Sequence, residues 1–91
     1  GFGLTVAEAM WKGTPVVASR VGGIPLQITD GETGYLVEPY DIASTAERII
    51  SLLQDAELSS TIGAQAREAV RERFLITRLL SDYLDVFTDV L

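Results

Sequence analysis

Residues 12–37 read KGTPVVASRVGGIPLQITDGETGYLV, and this stretch decides the fold. Near its start Val16-Val17-Ala18-Ser19 follows Pro15, and at its end stands Tyr35-Leu36-Val37. Both runs are short, mostly apolar and β-branched or aromatic, and are bounded by glycine, proline or turn residues. That is the pattern of strands covered on both faces, not of a half-solvated strand with alternating polar positions. Between them Gly22-Gly23 leads into a helical turn over residues 25–29, with Pro25 suited to a first turn, where its missing N–H costs nothing. Asp30-Gly31-Glu32-Thr33-Gly34 is a turn cluster. Strand, helical turn and strand imply parallel pairing through a right-handed crossover, because a hairpin cannot join parallel strands.

Working outward, the spacing predicts a short helix over residues 5–12, with Gly13 ending it in a left-handed conformation that carries no Cβ penalty. Beyond residue 40 the character changes: proline is absent, Gly63 is the one glycine, and the sequence reads as helix throughout. Asp41 is a suitable N-cap for a helix over 42–54, whose Ile42, Ala46, Ile49, Ile50 and Leu53 share a face. Asp55 precedes a second helix over 57–74, striped by Leu58, Ile62, Ala66, Ala69, Val70 and Phe74. Gly63 is a soft spot there, costing up to ~1 kcal/mol. A third helix over 76–90 carries Leu79, Leu80, Tyr83, Leu84, Phe87 and Leu91. These stripes are expected to face a core, as is Leu26 beneath its short helical turn. Two strands this apolar cannot be exposed edges, nor can they cover three amphipathic helices. The expected fold class is therefore α/β: the C-terminal part of a doubly wound parallel sheet, two short strands followed by three helices. Residues 1–91 form one incomplete domain on this view, and self-association is expected to shield the open sheet edge.

Composition excludes several chemistries. Cys and His are both absent, which removes disulfides, thiol catalysis and the commonest general base and zinc ligand. A net charge of −6 gives no basic patch for nucleic acid. No apolar run approaches the roughly 18 residues of a membrane span. Asp82, Asp85 and Asp89 lie on one helix face and, without further ligands, are a solvated face; no metal or cofactor is expected.

The opening run Gly1-Phe2-Gly3-Leu4-Thr5-Val6-Ala7-Glu8 carries the chemistry. In an open α/β sheet, ligands sit beyond the carboxyl ends of the strands, where loops enter helices. Gly3 allows close backbone approach, and the first-turn N–H groups of Leu4, Thr5 and Val6 carry about half a positive charge together. A diphosphate fits such a place without Lys or Arg. Glu8, about a turn further, has two oxygens for the hydroxyls of a ribose. A second reading competes: Thr5-x-x-Glu8 also matches a capping box, in which the two residues bond each other's backbone and bind nothing.

The chain also resembles a known family. Glu8-Ala9-Met10, Gly13-x-Pro15-Val16-Val17, Gly22-Gly23 and Asp30-Gly31-Glu32-Thr33-Gly34 are similar to the donor-binding segment of retaining family-4 glycosyltransferases, two-domain enzymes of GT-B architecture. Ile24-Pro25-Leu26-Gln27, with Leu26 where many members have Glu, looks like the trehalose synthase and phosphorylase branch. The resemblance implies a cytoplasmic enzyme that moves a glycosyl group, with retention, from a nucleotide-sugar donor to a sugar acceptor; the alternatives are a disaccharide phosphorylase and a non-catalytic interaction module that keeps the fold without the chemistry. It implies that Phe2, Gly3, Leu4 and Thr5 meet the donor's sugar and diphosphate and that Glu8 accepts from its ribose. No residue is implied as a protein nucleophile. The first Glu of the family's paired motif would stand one position before Gly1.

Overall fold

The computed structural model describes the backbone of residues 2–90 and the side chains of residues 5–81. Its elements are α1 (Phe2–Trp11), β1 (Val17–Ser19), α2 (Ile24–Gln27), β2 (Tyr35–Val37), α3 (Ile42–Gln54) and α4 (Ala56–Val90). β1 and β2 pair in parallel, with Val17 opposite Tyr35, Ala18 opposite Leu36 and Ser19 opposite Val37. The α/β class and the parallel crossover are as the sequence implies.

Alternation along the strands sorts the layers. Leu36 shares a core with Val6 and Met10 of α1, Ile24 of α2, Ile28 and Ala66 of α4, and Val16 and Ala18 pack against it. Met10 is fully buried and Ile62 is 1% exposed, so α1 and the first half of α4 close this face. On the opposite face Arg48 of α3 lies over Tyr35, its guanidinium carbon 4.7 Å from the ring centroid. Both residues flanking Leu36 are buried too, so β2 is covered on both sides.

Local chemistry sets the element ends. Gly13 takes φ +74°. Its N–H donates to the Met10 carbonyl and that of Thr14 to the Ala9 carbonyl, each at 3.0 Å. These two bonds form a Schellman turn, which reverses the chain from α1 into β1. Asp41 caps α3 through the Ser44 N–H at 3.0 Å, and Asp55 accepts from the Leu58 N–H at 3.0 Å.

Four features differ from the sequence expectation. First, α1 starts at Phe2, three residues before the expected start at Thr5. Second, the two helices expected over 57–74 and 76–90 are one, α4, so two helices and not three follow β2. Leu75 and its neighbours include no Gly or Pro, and nothing in the local chain stops the ladder. Third, α3 buries none of its residues; Ile42 and Leu53 are each 81% exposed. Fourth, Leu26 is 85% exposed, because a helix of four residues has no second turn to hold it against the core. Tyr83, Leu84, Phe87, Leu91 and the acids at 82, 85 and 89 lie outside the described side chains.

Candidate functional site

The Schellman turn makes α1 run antiparallel to β1, so its first turn lies at the carboxyl end of the parallel pair. Thr5 is exposed there. It borders an open cleft of about 400 Å³ between α1 and β1, together with Val6, Ala9, Ser19, Val21 and Ile24. The cleft walls are almost wholly aliphatic. A helix beginning at Phe2 leaves the amides of Phe2, Gly3 and Leu4 outside its own ladder and commits that of Val6 to the carbonyl four residues back. The expected set of Leu4, Thr5 and Val6 is thus shifted toward the start of the chain. Side chains of Phe2 and Leu4 fall outside the described residues.

Glu8 does not line the cleft. It stands on the exposed flank of α1, its carboxylate 3.0 Å from Lys12 Nζ. The capping-box alternative fails here, because Thr5 is inside α1 and not at its N-cap. Thr5 and Glu8 are neighbours at i and i+3 on the helix surface, one at the cleft mouth and the other beside it.

The same rim carries a charged group that sequence reasoning missed. Arg20 directly follows β1, and Glu38 directly follows β2. The Arg20 Nε–H donates to Glu38 Oε1 at 3.2 Å, and its other arm lies 3.9 Å from Asp30 Oδ2. The signal was present in the register: Ser19 sits opposite Val37, so the next residue on each strand is a charge of opposite sign. These are partly exposed pairs, worth on the order of 0.5 kcal/mol each, and they tie the rim together. Gly22 takes φ +54°, while Gly23 forms the start of α2. The pair is a strand-to-helix turn. Among the described residues no three carboxylates gather as a metal site, and no helix is long and apolar enough to cross a membrane.

Known proteins share this arrangement. A family model described as glycosyl transferases group 1 matches residues 1–69. Trehalose synthase of Pyrococcus horikoshii is 50% identical over 90 residues, which is 99% of this chain and 21% of that protein. Trehalose phosphorylase of Grifola frondosa is 46% identical over 72 residues, 79% of this chain and 10% of that protein. Among solved structures, sucrose-phosphate synthase from Thermosynechococcus elongatus matches with a TM-score of 0.77 at 36% identity, covering 97% of this chain and 23% of that one. The 91 residues thus correspond to less than a quarter of each of these proteins. With the family model matched over three quarters of its length, the chain belongs to the group 1 glycosyltransferases.

Proposed function

We propose that this chain is the C-terminal portion of the nucleotide-sugar-binding domain of a retaining glycosyltransferase, acting in the cytoplasm on a sugar-nucleotide donor and a sugar acceptor. The transferred group is glucosyl, in keeping with the trehalose synthase relatives. One observation carries the reading: a helix of ten residues opens at the carboxyl end of a parallel strand pair, with an exposed carboxylate beside its mouth. Amides of Phe2, Gly3 and Leu4 face the donor's sugar and diphosphate, and Thr5 flanks them at the cleft mouth. As the glycosyl bond breaks, negative charge grows on the leaving diphosphate, and fixed amide dipoles stabilise it without reorganising. Retention follows from holding the acceptor hydroxyl on the face the diphosphate leaves. No cofactor is required.

Glu8 binds the ribose hydroxyls. Its present partner, Lys12, is an exposed i,i+4 pair worth about 0.5 kcal/mol, so exchanging it for a ligand costs little. In the full-length protein, Glu8→Gln is expected to weaken nucleotide binding about tenfold in a calorimetric titration, as loss of a charged hydrogen bond should, with the thermal midpoint unchanged. Unaltered affinity would remove Glu8 from the donor site.

The similarity to a trehalose phosphorylase favours a second reading, in which phosphate takes the glucosyl group from a disaccharide. Assaying the full-length protein with sugar nucleotide plus glucose, against trehalose plus phosphate, separates the two.

A further inference from the structure

β2 runs out into a turn that its own sequence resists. Glu38, Pro39, Tyr40 and Asp41 follow Val37, and the Asp41 N–H donates to the Glu38 carbonyl at 3.1 Å. Pro39 stands second in that turn, where its fixed backbone angle is favoured. Tyr40 stands third and takes φ +65°, the left-handed region that suits glycine at that place. Among the described residues it is the one residue other than glycine with a positive φ. A bulky aromatic in that conformation is strained, and such strain collects at functional sites. The fold gains no burial in return, since Tyr40 is 99% exposed.

The surroundings of the ring select a ligand chemistry. Tyr40 and Asp41 border an open hollow of about 320 Å³ with Ile42, Thr45, Ala46 and Ile49 of α3. It shares no residue with the cleft between α1 and β1, but lies at the same carboxyl end of the parallel pair. An anion is disfavoured there. The Asp41 carboxylate stands in the lining, and two first-turn amides of α3 are taken, that of Ile42 by the Tyr40 carbonyl at 3.1 Å and that of Ser44 by Asp41 at 3.0 Å. Each oxygen of that carboxylate accepts one bond from Ser44 and keeps capacity for another. A neutral sugar ring suits both groups: its C–H face lies against an aromatic ring, and its hydroxyls donate to a carboxylate.

We infer that Tyr40 and Asp41 form a sugar-binding subsite, in which one pyranose ring stacks on Tyr40 beside Ile42 and donates a hydroxyl to Asp41. The subsite is separate from the donor cleft and takes a neutral sugar, not a nucleotide. The inference rests on the reading of this protein as an enzyme acting on sugars, but it needs neither Glu8 nor the first turn of α1. It also accounts for the strain: glycine would adopt the turn freely, but glycine offers a sugar no ring to stack on.

Saturation-transfer NMR titrations of the full-length protein with glucose and with trehalose, without nucleotide, test it beside thermal midpoints. Tyr40→Ala is expected to weaken binding of at least one of the two sugars about tenfold, and Tyr40→Phe less than about twofold, because the ring face is what the sugar meets. Tyr40→Gly is expected to weaken binding as Tyr40→Ala does, while its thermal midpoint stays at or above that of the parent, since the left-handed strain is gone. Unchanged sugar affinity in Tyr40→Ala overturns the inference. So does a parent protein that binds neither sugar. A lowered midpoint in Tyr40→Gly overturns it as well, and assigns the ring to packing against another part of the full-length polypeptide. Because no nucleotide is used, the result is separate from that of the Glu8→Gln titration.

Discussion

At the scale of single residues, the chain uses its few charges close to home. Glu8 meets Lys12, Arg20 meets Glu38 and Asp30, and Asp41 meets Ser44. The last is the most consequential for the fold. The Asp41 carboxylate accepts from the Ser44 N–H at 3.0 Å and from its hydroxyl at 2.8 Å. These bonds, the backbone one foremost, hold its pKa below the ordinary aspartate value. A carboxyl depressed in the folded state contributes stability that is fully present above the ordinary aspartate range, about pH 4, and is lost as the pH falls through the lowered value. Asp41→Asn keeps an acceptor for the cap but does not titrate. Urea midpoints taken below about pH 4 should therefore fall less steeply for Asp41→Asn than for the parent; equal slopes would remove Asp41 from the acid response. Asp41 was legible as a cap because its type and position are local. Glu8 was ambiguous for the converse reason: the same spacing serves a capping box and a free carboxylate, and the start of α1 at Phe2 decides between them.

At the scale of elements, local signals set most boundaries and distant contacts set the rest. The bounds of α3 follow from Asp41 and Asp55, which stand just outside both ends. The union of two expected helices into α4 was legible and was missed: Phe74-Leu75-Ile76 offers no breaker and no capping residue, so nothing there ends a helix. Gly63 was read as a tolerated weakness in a helix, and the structure gives it a positive reason. A Cβ there would stand 2.0 Å from the Gly13 carbonyl oxygen, across a contact between elements fifty positions apart. That distance cannot be met by a flexible side chain moving aside, because the obstacle is backbone. Gly63→Ala should cost about 3 kcal/mol, as overpacking of a rigid contact does. Gly13→Ala has room, with its Cβ 3.7 Å from the Gly63 carbonyl oxygen, and should cost only the left-handed strain of about 1–2 kcal/mol. Urea unfolding of the two variants gives the order, and the reverse order would deny the close crossing of α1 and α4.

At the scale of the whole molecule, the Cα radius of gyration is 16.0 Å and the longest extent 56 Å. A compact chain of this length has a radius of about 12 Å. The excess comes from α4, which at 1.5 Å per residue spans the molecule alone. Its first half is core, with Ile62 and Ala66 buried, and Arg73 donates to the Gln27 carbonyl. Beyond that point Ile76, Leu79 and Leu80 are exposed. Ile62→Ala is therefore expected to cost about 3 kcal/mol in urea unfolding of the 91-residue chain, and Leu79→Ala less than about 0.5 kcal/mol. A large effect of Leu79→Ala would show that the second half of α4 packs on something in that chain. The exposure of these stripes was illegible because amphipathic spacing tells which face seeks a partner, not whether the partner lies within the same 91 residues. The turn at 30–34 has a different lesson. Asp30 Oδ1 accepts from the Leu36 N–H, the Thr33 hydroxyl accepts from the Thr29 N–H, and a Cβ on Gly34 would come within 2.9 Å of the Val16 carbonyl oxygen. Three of its five residues thus serve as a clasp that sets how the two strands meet. A protein that shares this pentapeptide has inherited a way of docking one strand on another.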